Sequence, residues 1–192
     1  SSRLTLLLSG NDSNFQIPNN PGQPAAFVVN GRSAFDSAKL NENQAENSAF
    51  AILAYQKKSE TFNLQASAFT RYSGVLFRPD DIGDLIFNGV ASRVDRAIQT
   101  EGAEFDASYK LSADHTLRGG LLFTASRAVS NTVTGVFPVD AAGNQTTDVP
   151  LRIVDNSTQN GYFYGAYLQD EWKPFASLTI NFGGRFDLAD ET

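Results

Sequence analysis

Two clusters of carboxylates and a single histidine are the side chains that chemistry could use in this chain of 192 residues. Gln169, Asp170 and Glu171 place two acids side by side, the raw material of acid–base catalysis. Adjacent residues on a strand point to opposite faces, so Asp170 and Glu171 cannot confront one substrate together. They read instead as hydrogen-bonding wall residues or as ion-pair partners of a neighbouring strand. Asp80, Asp81 and Asp84 gather carboxylate oxygens of the kind calcium takes. Their spacing matches no EF-hand loop, and a solvated loop face is the simpler reading. His115 is the only histidine and there is no cysteine, so the usual zinc site cannot be assembled. A surface position in a short turn is expected for it. No nucleophile elbow, P-loop, dinucleotide fingerprint or H-E-x-x-H occurs. Enzymatic activity, a cofactor and a metal are therefore not expected.

The elements that carry these residues are strands. Leu178, Ile180, Phe182, Gly184, Phe186 and Leu188 alternate with Thr179, Asn181, Gly183, Arg185 and Asp187, a period of two across eleven residues. The same alternation marks Phe62–Ser73, Gly102–Leu111 and Thr116–Ser126. Arg3–Ser9, Ala49–Lys57 and Tyr162–Lys173 alternate less cleanly, and the register of 49–57 stays open. Seven strands are expected in all. Arg71, Arg118 and Arg185 fall on polar faces, as do Glu104, Asp106 and Asp187. Arg71 and Arg127, toward the outer strand ends, are the candidates for contact with a ligand. Tyr162, Tyr164, Tyr167 and Trp172 crowd aromatic rings onto one strand, which suggests a girdle at a membrane interface. The rival reading is the aromatic core of a soluble sheet. Asp170 interrupts the apolar face of that strand, so it belongs near the membrane edge, where an acid is tolerable.

Composition agrees with a membrane wall made of strands. Mean hydropathy is −0.26, and no apolar run approaches the roughly 20 residues of a transmembrane helix. A barrel hides its apolar content in alternation. A net charge of −6 argues against nucleic acid as a partner. The absence of cysteine suits passage through an oxidising periplasm.

The connections alternate in length. Residues 58–60, 112–114 and 174–177 are short turns; about 10–46, 74–96 and 127–161 are long loops, with short hairpins expected at Leu85–Asn88 or Val149–Val154. Outer-membrane barrels have short periplasmic turns and long extracellular loops, so this pattern orients the strands. An odd number of strands cannot close a bacterial single-chain barrel, and an open sheet in lipid leaves unpaired backbone at two edges. The expected fold is all-β: an antiparallel meander of about seven transmembrane strands, a curved open segment of a larger barrel. No signal peptide opens the chain, so an upstream part of the exported protein is expected.

The segment Gly165–Pro174, GAYLQDEWKP, followed by Leu178–Asp187, LTINFGGRFD, resembles the Y-x-Q-D-x-W strand, short turn and L-T-L-N-x-G-x-R-Y-D strand of TonB-dependent outer-membrane receptors. The matching residues are Gln169, Asp170, Glu171, Trp172, Asn181, Gly183, Arg185 and Asp187. Phe15–Asn19 and Phe137–Gly143 also resemble loop elements of that family. The resemblance implies a barrel of about 22 strands with a plugged lumen. Residues 1–192 would be part of its wall, without the plug or the TonB box. It also implies a place in the outer membrane of a Gram-negative bacterium, with the lipid bilayer, a plug domain and the TonB energy-coupling protein as partners. The parent would import a small molecule or metal chelate, such as a ferric siderophore, cobalamin or a carbohydrate. Two other readings remain open at this point: a small self-contained barrel acting as an adhesin or structural protein, and a secreted carbohydrate-binding β-sandwich.

Overall fold

In the computed structural model, which describes residues 1–191, seven strands follow one another into a single antiparallel sheet. Thr192, the last residue of the expected barrel segment, lies outside the described residues. The strands are β1 (Ser2–Gln16), β2 (Asn43–Lys58), β3 (Phe62–Arg78), β4 (Val90–Lys110), β5 (His115–Val136), β6 (Leu151–Phe175) and β7 (Leu178–Glu191). Their order in the sheet is their order in the chain, so every neighbour is a hairpin partner. β1 and β7 are the two outer strands, and the sheet is open. One short helix, α1 (Gly83–Asn88), and a single 3-10 turn at Ser37–Lys39 interrupt the long connections.

The seven expected strands are all present, but each is longer than its alternation suggested. β1 runs to Gln16, β5 to Val136, and β6 starts at Leu151. The long connections accordingly shrink from about 10–46, 74–96 and 127–161 to 17–42, 79–89 and 137–150. The reason is physical. Alternation records only the stretch that must present an apolar face, whereas backbone ladder bonds continue with any polar side chain. The turns sit at 59–61, 111–114 and 176–177, shifted by up to two residues from expectation. Two small corrections concern the loop hairpins. Leu85–Asn88 belongs to α1, and Leu151–Val154 opens β6 within the main sheet. α1 stops at Gly89, whose φ of 72° is the left-handed conformation glycine adopts without strain.

Register places every residue on one of two faces, because directly paired residues share a face. One row on the first face reads Leu4–Tyr55–Ala66–Phe105–Leu121–Ala166–Phe186. The neighbouring row on the second face reads Arg3–Gln56–Gln65–Asp106–Gly120–Tyr167–Arg185. The sheet is apolar on one side and polar on the other, and the register of 49–57 is fixed: Leu53 and Tyr55 lie with the apolar rows.

Candidate functional site

The apolar face is uncovered. Leu6 is 63% exposed, Leu121 60%, Leu168 62% and Phe186 65%. A contiguous apolar surface of this extent marks a place of contact with lipid or a partner. Tyr162 and Tyr164 stand toward one end of its β6 stripe and Trp172 at the other. Phe123 packs against Tyr164 with ring centroids 5.1 Å apart. At the Trp172 end the stripe carries its one acid. Asp170 is held by His115, whose Nδ1 lies 2.6 Å from Asp170 Oδ2. The imidazole also stacks on Trp172 at 5.8 Å and 8°. His115 is thus the first residue of β5 and the partner of Asp170. The other carboxylate oxygen, Oδ1, is buried without a hydrogen bond.

Tyr167 does not join the aromatic stripe. It is an odd residue among even ones on β6, so the pleat turns it to the polar face. There its hydroxyl donates to Asp106 Oδ1 at 2.7 Å, spanning β5 over Gly120. Phe69 covers Gly102 in the same way on β3 and β4. The polar face carries charge pairs as well. Arg118 donates to Glu171 Oε2 at 2.8 Å, Lys173 lies 2.9 Å from Glu171 Oε1, and Arg185 donates to Asp187 Oδ2 at 2.7 Å. Gln169 donates to Asn181 Oδ1 across the β6–β7 hairpin. Gly183 pairs with Gln169, and a Cβ there would meet the Leu168 carbonyl at 2.5 Å. Of the family hairpin residues, Gln169, Asn181, Asp170 and Glu171 link neighbouring strands, whereas Arg185 and Asp187 pair with each other within β7.

Arg71 lies on the polar face, between Phe50 and Thr100. Arg127 does not share that face: it stands in the row of Gln99 and Asn160, on the same side as Phe123 and Leu121, just past the end of the apolar stripe. The structure does not bring the two arginines together.

The buried core of the protein lies in the long connections and at the start of β4. Val29, Leu40, Leu85, Ile86, Phe87, Ala91 and Phe137 pack into one cluster, with Phe27, Phe35 and Ile82 against it. Hydrogen bonds knit the three connections into a crown. Ala26 and Phe27 N–H groups donate to Ile86 O at 3.0 and 2.9 Å, Asn30 N–H donates to Asp148 O at 2.8 Å, and Phe137 N–H donates to Gly89 O at 3.1 Å. Asp84 is buried at this junction. Burial, a hydrogen bond to the Glu42 carboxyl and the charges of Glu42 and Asp80 push its carboxyl up to about 7. Asp140 lies at an exposed tip, where N–H groups of Asn144, Ala142 and Gly143 hold its carboxyl below the usual range. Sequence reading missed the crown. The signal was there in the apolar triplets Phe27-Val28-Val29 and Leu85-Ile86-Phe87 inside otherwise polar loops. Asp80 and Asp84 prove to be structural, bonded to the backbone of their own turn, as when Asp80 N–H donates to Asp84 Oδ2 at 2.9 Å.

Among the described residues, no group of three or more histidine or acidic side chains converges as a metal site. What the arrangement offers is a wall with one apolar and one polar side, topped by folded loops. No curated protein matches the chain. Among solved structures, the siderophore receptor PiuA from Acinetobacter baumannii is similar over 99% of this chain and 36% of that one, at 12% identity and a TM-score of 0.41. The chain spans about a third of that receptor's length. The sequence model of the TonB dependent receptor-like β-barrel family matches residues 2–192, nearly the whole chain. On that match, the chain belongs to the TonB-dependent receptor β-barrel family.

Proposed function

We propose that the chain is a wall segment of an outer-membrane receptor that imports a scarce nutrient by energy-coupled transport, with its apolar face against lipid and its polar face against the lumen. The observation that carries this reading is the two-faced open sheet of a TonB-dependent receptor barrel. The dimensions support it. Tyr162 to Trp172 is ten residue steps on β6, about 33 Å along the strand at roughly 3.3 Å per residue. A strand tilt of about 45° reduces this to about 23 Å of height, close to the roughly 25 Å apolar band of such barrels between its two aromatic girdles. Asp170, beside Trp172, then lies at the edge of the band. β6 is 25 residues long, more than twice the roughly 9–11 a tilted strand needs to cross. Its excess length carries the crown outside the membrane.

On this reading the neighbours of β1 and β7 are further strands of the same barrel in the outer membrane of a Gram-negative bacterium. A plug domain and the TonB protein are partners of the whole receptor. Its cargo is a small molecule or metal chelate, such as a ferric siderophore, cobalamin or a carbohydrate. The self-contained barrel requires β1 to pair with β7, and the β-sandwich requires a second sheet over the apolar face; the sheet topology supports neither.

Leu121 and Leu122 test the face assignment. Leu121 lies in the apolar row with Phe105 and Ala166; Leu122 lies on the polar face beside Glu104 and Gly165. In the full-length protein folded into lipid vesicles, Leu121→Arg is expected to cost about 2–4 kcal/mol, as for a mid-membrane arginine on the lipid side. Leu122→Arg is expected to cost about 1 kcal/mol or less, because Glu104 can pair with it. Equal losses, or folding as a monomer in buffer without detergent, would refute the assignment.

A further inference from the structure

Arg127 stands on the apolar side of the sheet, and its height there is specific. On β5 that side reads Leu117, Gly119, Leu121, Phe123 and Ala125, and Arg127 is the next residue of the series. The step from Ala125 is about 7 Å along the strand at roughly 3.3 Å per residue, or about 5 Å of height at a tilt of about 45°. The polar headgroup layer of a bilayer is about 5–7 Å deep on each side of the hydrocarbon, so the guanidinium falls within it. Arg93 and Arg152, on the same side of β4 and β6, lie ten residues beyond Ala103 and Tyr162. That is about 23 Å of height on the same reckoning, clear of the layer. The partners of Arg127 across the sheet are donors. One row through β3, β4, β5 and β6 reads Tyr72–Gln99–Arg127–Asn160. Phenol, amides and guanidinium all offer O–H or N–H groups, and no carboxylate stands in the row. Gln99 donates to Thr70 Oγ1 at 2.7 Å with its amide nitrogen, which carries two hydrogens. Arg127 is exposed and forms no ion pair among the described residues. Its diagonal acidic neighbour is Glu101, which pairs with Ala125 one row nearer the hydrocarbon.

We propose that the row Tyr72–Gln99–Arg127–Asn160 is a docking site for the phosphate group of a membrane lipid, in the leaflet nearest the crown, with Arg127 as its anchor. The inference rests on the reading of the apolar face as lipid-facing and adds a headgroup contact to it. The planar fork of arginine matches two phosphate oxygens at once. Gln99 and Asn160, on either side, are placed to hold the remaining phosphate oxygen and the oxygens of the headgroup. A soluble anion needs only the charge. A lipid uses the whole arrangement: its acyl chain lies along Phe123 and Leu121 while its phosphate meets Arg127. The lumenal side offers a matched comparison. Arg71 pairs with Thr100, the residue after Gln99, and so stands within one residue step of the same row but on the opposite side. It too is exposed and without an ion pair among the described residues.

Native mass spectrometry of the full-length protein tests the site, with phosphatidylglycerol titrated against a background of phosphatidylcholine. The binding constant for the first phosphatidylglycerol is expected to weaken about fivefold in Arg127→Gln, the worth of one basic side chain at a membrane surface. Arg127→Lys keeps the charge and loses the fork, and is expected to fall between the two. Arg71→Gln is expected to leave the constant unchanged. Inorganic phosphate is expected not to displace the lipid, and displacement would show a site for a free anion instead. Unchanged binding in Arg127→Gln overturns the proposal, and so does an equal loss in Arg71→Gln, which would mark a general effect of charge. A loss in Arg71→Gln alone overturns the face assignment as well. Unchanged binding in Arg127→Gln, with Leu121→Arg still costlier than Leu122→Arg, overturns the headgroup site and leaves the lipid-facing reading in place.

Discussion

Gly120 sits under the Tyr167–Asp106 hydrogen bond, and its missing side chain is what lets that bond form. The three residues occupy one row across β4, β5 and β6. An alanine Cβ at position 120 would stand 2.5 Å from Asp106 Oδ1 and 3.0 Å from Tyr167 Cζ. The first distance is too short for any real contact, so the ring or the carboxylate must move. Displacing the 2.7 Å bond costs about 1–2 kcal/mol, after allowance for the partial exposure of a charge-assisted bond. Crowding adds about 1 kcal/mol, and the reduced freedom of the unfolded chain returns about 0.5 kcal/mol. Gly120→Ala is therefore expected to destabilise the protein by about 1.5–2.5 kcal/mol, and Tyr167→Phe by about 1–2 kcal/mol. The assay is urea unfolding of the full-length protein in lipid vesicles, with both single variants and the double. If Gly120 acts through the bond, Gly120→Ala costs about 1 kcal/mol less when the hydroxyl is already absent. Additivity within about 0.5 kcal/mol, the behaviour of independent sites, would refute the reasoning.

Two further perturbations separate the band from the crown. His115→Ala strips Asp170 of its partner at a position where the acid's other oxygen is already unbonded; a loss of about 2–3 kcal/mol is expected, and adding Asp170→Leu should recover most of it in the same unfolding assay. Ile86→Ala hollows the one fully buried large side chain of the crown. It is expected to cost about 2–4 kcal/mol locally, seen as faster proteolysis within 17–42 and 79–89 while the unfolding midpoint of the sheet stays put.

The sheet was legible because a pleated strand repeats every two residues. Leu178–Leu188 and Phe62–Ser73 declare their faces without reference to anything distant. The family hairpin, Gly165–Asp187, was legible by resemblance because its two strands pair directly across one turn and so lie together in the sequence. Three things were not legible. The ends of β5 and β6 were invisible because Ser130, Asn131 and Asn156 interrupt the few apolar residues there, Val129, Val133, Ile153 and Val154, and leave no sustained alternation. The placement of Tyr167 was readable from parity but obscured by its aromatic neighbours: Tyr162 and Tyr164 are even, Tyr167 is odd, and the pleat decides. The crown was hidden for a deeper reason. Val28 N–H meets the Gln145 side chain, and Gly31 N–H meets that of Asp148, across 117 residues of sequence. No local period encodes a contact of that separation.

The two halves of the fold rest on different solvents, and that difference is itself informative. The crown buries Ile86, Val29 and Phe137 against one another, so its stability comes from removing apolar surface from water. The apolar stripe of the sheet buries nothing by itself; Leu121 and Leu168 remain exposed until something apolar covers them. Between the two, β4, β5 and β6 project as long ladders bearing the Ser92–Thr134 and Thr100–Ser126 hydroxyl pairs, which suit water. A soluble protein with a spare apolar face would have no reason to replace it, from Arg127 and Asn160 onward, by a mostly polar one while the same strands continue for another ten or so residues. A wall that crosses a bilayer and rises beyond it has that reason, because the depth of the hydrocarbon, rather than the length of the strand, decides where the apolar face must stop.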